Sequence, residues 1–177
     1  MLGHHSIIRP PSLIRVVRQQ TESLFISRDS TIPNRNFVLF RTELFLHEQA
    51  DDQIDCWFVG GDCAGWIYAR LLPQPNIDRE TEPLMEDWGW HASVRTQDTD
   101  TSIALLIYAW PYLEQCWMIG LDPNRRLLRR QPTKTIRTAL DCIADGIDGI
   151  ICSDNRFESF GWREQNPFDT GVTDPRQ

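Results

Sequence analysis

The chain reads as an α+β protein: a mostly antiparallel sheet in β-α-β-β-β-α order, with the helices packed on one face as a two-layer sandwich. Three observations predict this. Short stretches alternate apolar and polar residues, the mark of half-buried strands. Two longer stretches repeat apolar residues every three or four positions, the mark of amphipathic helices. Turn residues (Gly60-Gly61, Asp98-Thr99-Asp100 and Asp122-Pro123-Asn124) separate them at strand-length intervals.

Residues 1–36 differ in kind from the rest of the chain. They hold five Arg (Arg9, Arg15, Arg18, Arg28, Arg35) against Glu22 and Asp29, a net charge of +3. Leu13, Val16, Val17 and Leu24 fall near helical spacing after Ser12, so the segment is expected to be a basic arm with a short helix. Residues 37–165 are expected to form a single domain, and residues 166–177 a loose tail. Outside the arm, 13 basic face 23 acidic residues, a net charge of −10.

In residues 37–46, Val38, Phe40, Leu44 and Leu46 share one face of a strand, and Arg41 and Glu43 the other. Asp62 is placed to cap a helix over 63–72, whose inward stripe is Cys63, Trp66, Ile67 and Leu71. Pro73 and Pro75 stop it. Residues 76–85, with Asp78, Glu80 and Glu82, read as a charged loop. Residues 88–97 alternate Trp88, Trp90, Ala92 and Val94 against Gly89, His91, Ser93 and Arg95, which predicts both indoles on the core face. Residues 101–110 are apolar on both faces, as in a central strand. Residues 116–121 make a third consecutive strand. A second helix opens at Thr133 with Ile136, Leu140, Ile143 and Ile147 inward, and Gly146 and Gly149 mark a frayed end. Residues 157–162 are a possible last strand.

Gly61-Asp62-x-x-x-Trp66, then Pro83-x-x-Glu86-Asp87-Trp88-Gly89-Trp90, then Phe160-Gly161-Trp162 together resemble a group of small uncharacterised bacterial proteins. The resemblance spans roughly residues 37–164. It implies a bacterial cytosolic protein and carries over no catalytic residue.

Composition excludes several classes of function. A chain of net −10 outside its arm lacks the basic footprint with which nucleic-acid binders displace counterions. No apolar run approaches the ~20 residues of a membrane span. Five cysteines form no C-x-x-C pair, and the first residues lack a basic segment followed by an apolar one, so free thiols in a reducing cytoplasm are expected.

The densest chemistry is Glu86-Asp87-Trp88-Gly89-Trp90. Glu80, Glu82, Glu86 and Asp87 are candidates for gripping a basic protein partner, since charge complementarity raises the rate and specificity of encounter. Cys63, His91 and Asp87 are the ingredients of a cysteine hydrolase, with Cys63 near a helix N-terminus that favours thiolate. Arg125, Arg126, Arg129, Arg130 and Lys134 lie in a stretch of six basic and no acidic residues between Asp122 and Asp141, an anion-binding candidate. The acidic residues around His47 and Glu48 have neither zinc nor calcium spacing, so no metal is expected, and no other cofactor. Gly60-Gly61-Asp62 lacks the lysine and length of a phosphate loop.

Three functions are therefore expected in order: a non-enzymatic binding or regulatory protein, such as an immunity- or antitoxin-like inhibitor; a small hydrolase using Cys63, His91 and Asp87; and an assembly component that docks through its basic arm.

Overall fold

A computed structural model describes residues 34–45, 59–123, 133–174 and 176. The chain divides into Met1–Ile32 and Pro33–Gln177. The first unit, with the expected arm helix, lies outside the described residues, and so do the acidic loop after Phe45 and the arginines at 125–130.

Among the described residues six strands and two helices follow one another: β1 (Phe37–Arg41), α1 (Gly61–Leu71), β2 (Ile77–Glu86), β3 (Gly89–Thr96), β4 (Thr101–Ala109), β5 (Cys116–Pro123), α2 (Thr133–Cys152) and β6 (Glu158–Arg163). The strands form one sheet in the order β2-β3-β4-β5-β1-β6, and every neighbouring pair is antiparallel. The protein is thus a mixed α+β fold with two helices packed on an antiparallel sheet.

Strand alternation sorts the side chains. Val38 and Phe40 of β1, Ala92 and Val94 of β3, Ile103, Leu105 and Ile107 of β4, and Trp117, Ile119 and Leu121 of β5 share one core. Into the same core come Cys63, Ala64, Ile67 and Leu71 of α1, and Ile143 and Ile147 of α2. Each large aliphatic side chain buried here contributes about 1.5–3 kcal/mol by leaving water. At one end an aromatic group closes the core. Trp66 meets Phe157 at 5.2 Å and Phe45 at 5.6 Å, and Phe45 meets Trp117 edge-on at 5.7 Å. The opposite side of the sheet carries a smaller cluster of Leu39, Trp110, Cys116 and Met118.

Several expectations are corrected. Residues 76–85 are not a loop: β2 occupies Ile77–Glu86 at the edge of the sheet. An edge strand with only Ile77 buried has no need of the alternating pattern that marks a half-buried strand. The element order therefore gains β2 before β3, β4 and β5, and the possible last strand at 157–162 is β6 (Glu158–Arg163). β1 ends at Arg41, short of Leu44, and Leu46 lies outside the described residues. The cap of α1 is Gly60, at φ +108°, rather than Asp62. Asp62 lies in the first turn, where its Oδ1 accepts the Cys63 N–H at 2.8 Å. Gly146 and Gly149 do not fray α2, which continues to Cys152. A Cβ at Gly146 would stand 2.8 Å from Leu71 Cδ1, so this glycine lets the two helices close on each other.

Residues 166–174, read from the sequence as a loose tail, make specific contacts. Phe168 lies 4.7 Å from the Trp110 ring, and Trp110 Nε1–H donates to the Thr173 carbonyl at 3.3 Å.

Candidate functional site

The Glu86–Trp90 stretch forms the tight end of the β2–β3 hairpin. Glu86 pairs with Gly89, leaving Asp87 and Trp88 as the turn. Gly89 has φ +148° and sits against β4, where a Cβ would meet Ile107 O at 2.8 Å. Only glycine combines that backbone angle with that approach.

This turn places the two indoles differently from the sequence expectation. Trp90 belongs to β3 and packs against the helix-side core. Its ring lies under the start of α1, so a Cβ at Gly61 would be 2.5 Å from Trp90 Cζ2 and one at Gly60 3.0 Å from Trp117 Cζ3. The Gly-Gly pair is explained by these two indoles. Trp88 lies in the turn, with its ring 5.3 Å from Tyr108 and 6.5 Å from His91. Both of those residues alternate to the side away from the helices. Trp88 and Trp90 therefore serve opposite sides of the sheet.

Two of the four candidate partner-binding carboxylates are already engaged within the chain. Glu80 Oε1 accepts from Arg95 at 2.6 Å, and Arg95 also reaches Asp100 at 2.9 Å. Glu82 pairs with Arg79 at 2.7 Å, an exposed pair of little net worth. Glu86 and Asp87 are exposed and make no ion pair among the described residues. Directly before them, Leu84 is 54% exposed and Met85 46%. Only two other large hydrophobic side chains among the described residues, Tyr112 and Phe168, are comparably exposed. An apolar pair and a carboxylate pair are thus contiguous at one corner of the sheet.

Cys63 and His91 are not brought together. Cys63 is wholly buried on the helix side, and burial, with Asp62 adding to it, pushes its thiol well above the ordinary range. His91 alternates to the other side of β3, beside Trp88, so the sheet stands between thiol and imidazole. Asp87 is in the hairpin turn. Lys134, the one described member of the basic candidate, is exposed in the first turn of α2. Among the described residues no group of three His, Cys, Asp or Glu is placed to hold a metal, and no helix is long and apolar enough to cross a membrane.

One charged cluster was not foreseen. Arg35, 14% exposed, lies against α2 and reaches Asp145 at 2.8 Å, Asp148 at 3.2 Å and Asp141 at 3.4 Å. Trp162 Nε1–H donates to the other oxygen of Asp148 at 2.7 Å, and the guanidinium lies 5.9 Å from the Trp162 ring. Arg137 shares Asp141 at 2.9 Å and donates to Asn34. Burial opposes the charge on Arg35, but the hydrogen bond and charge of Asp145, with Asp141 and Asp148, outweigh it and raise its pKa. The signal was present in the spacing of the aspartates: residues 141, 145 and 148 share one helix face. Their counter-ion, from more than a hundred residues earlier, had no local signature.

No family model, no curated protein and no solved structure matches the chain.

Proposed function

We propose that this chain is a non-enzymatic binding protein that engages a basic protein partner through the outer corner of the β2–β3 hairpin. The observation that carries this reading is the contiguity of exposed Leu84 and Met85 with the exposed carboxylates Glu86 and Asp87, which make no ion pair among the described residues. Apolar side chains supply contact area that excludes water, and the carboxylates steer and orient a basic surface. Glu80 and Glu82, bound to Arg95 and Arg79, take the role of support. An immunity- or antitoxin-like inhibitor in a bacterial cytoplasm is the concrete form of this reading. The free thiols of Cys63, Cys116, Cys142 and Cys152 favour a reducing compartment. A two-layer sandwich belongs to the same reading, supported by the one core that both helices share with the sheet.

Photo-crosslinking tests it. A photoreactive residue at Met85 is expected to capture a basic protein from source cells. Capture should be lost in the Glu86→Lys/Asp87→Lys background and absent from the equally exposed Tyr112 position. Equal capture from both positions, or capture indifferent to charge reversal, would overturn the proposal.

A further inference from the structure

We infer that residues 84–86 of β2 take up an extended basic segment of the partner as an added antiparallel or parallel strand. This rests on the proposed function and specifies how the partner is held.

Among the described residues the sheet has two edges, β2 and β6. Along an edge, alternate residues turn unpaired N–H and C=O groups outward, a template for another strand unless something blunts it. β6 is blunted. Its register with β1 slips between Leu39 and Phe40, Gly161 bends it at φ +86°, and it exposes no large aliphatic side chain. Most of β2 is blunted as well. Its register with β3 slips between Arg79 and Thr81 and again between Thr81 and Leu84, Pro83 has no N–H, and Arg79 and Glu82 stand as an ion pair along it.

Beyond Pro83 these devices stop. Leu84 pairs with His91, Met85 with Trp90 and Glu86 with Gly89 in unbroken register. The short run is therefore regular, anchored on β3, and carries two exposed aliphatic side chains on opposite faces. A strand laid beside it would cover Leu84 with one side chain and Met85 with the next, and its neighbouring residue would meet Glu86 or Asp87. That pattern fits an extended segment of apolar residues followed by lysine or arginine. It disfavours a second copy of β2, which would bring its own Glu82 and Glu86 against those of the first.

The test uses the full chain, labelled with nitrogen-15, and three synthetic probes: a peptide with a run of valines followed by lysines, the same peptide N-methylated at alternate residues, and a counterpart with glutamates in place of the lysines. Backbone methylation removes donors and leaves charge and side chains in place. The lysine peptide is expected to shift the amides of residues 84–86 and to slow hydrogen exchange at those whose N–H faces away from β3. N-methylation should weaken binding at least tenfold, and the glutamate peptide should not bind. If the N-methylated and parent peptides bind equally at Glu86 and Asp87, strand addition is wrong and the acidic-corner reading stands. If neither lysine peptide binds, both fall. A doubling of mass in solution that masks residues 84–86 would also overturn the inference, in favour of self-pairing.

Discussion

Trp90 lies beneath Gly61, where an added Cβ would come 2.5 Å from its Cζ2 atom. The first turn of α1 can rest on β3 only because position 61 has no side chain. Trp90 is part of the core wall, so it cannot yield without opening that wall. Gly61→Ala is expected to lower unfolding free energy by about 1–3 kcal/mol, the usual cost of overpacking. Gly89→Ala should cost a similar ~1–3 kcal/mol for a different reason, a strained φ of +148° together with a 2.8 Å approach to Ile107 O. Urea denaturation checks both. Gly65→Ala, mid-helix with nothing within 4 Å of its Cβ, is the control for added bulk and should gain about 0.5–1 kcal/mol from helix propensity alone.

The two hairpin tryptophans should separate in the same experiment. Both are partly buried, but Trp90 packs against the helix-side core and under Gly61, whereas Trp88 lies on Tyr108 on the other side. Trp90→Ala is expected to cost about 2–4 kcal/mol, toward the range for large buried aromatics, and Trp88→Ala about 1 kcal/mol. Equal losses would mean that both indoles share one core.

That contrast shows where sequence reasoning held and where it stopped. Alternation placed Ala92, Val94 and the β4 and β5 residues correctly, because each strand buries one or both faces and period 2 survives in the sequence. It failed at Trp88, because a turn at Asp87 and Trp88 followed by positive φ at Gly89 resets which side the chain presents. β2 carries no strand signal in the sequence, because an edge strand bearing Asp78, Arg79, Glu80 and Glu82 has the composition of a loop. At the candidate site, Glu86 and Asp87 were legible as an acidic pair. The aliphatic neighbours Leu84 and Met85 were not, since only the structure shows that an edge leaves them uncovered. Arg35 falls in the basic arm by sequence position, whereas its partners are set by tertiary contact with α2.

Arg35 ties the start of β1 to α2, so its removal should leave Asp141, Asp145 and Asp148 facing one another. The aspartates are 28–51% exposed, so water screens much of the repulsion. Arg35→Ala is expected to cost about 1–2 kcal/mol, less than a fully buried pair would. Arg35→Lys should recover only part of this, because an ammonium cannot span three carboxylates as a guanidinium fork does. Raising salt should narrow the gap between wild type and Arg35→Ala. A gap that is unchanged by salt would point to lost packing on Trp162 instead.

Alkaline pH gives the last prediction. Burial pushes the Cys116 thiol from an ordinary 9.0 up to about 12, with the Trp117 backbone hydrogen bond and Arg41 offsetting only part of it. Below pH 9 the thiol is neutral in both folded and unfolded chains, and its contribution to stability is fully present. Between about 9 and about 12 the unfolded chain releases this proton while the folded chain holds it, so stability falls as pH rises through that window. Burial also raises Cys63, Tyr68 and Tyr108, which add slope of the same sign. Cys116→Ala should therefore flatten the decline above pH 9 without abolishing it. The same burial predicts the order of thiol labelling in the native state: exposed Cys152 reacts first, and Cys63 and Cys116 only as the protein unfolds. Rapid native-state labelling of Cys63 would show that its thiol reaches solvent, contrary to its place in the core.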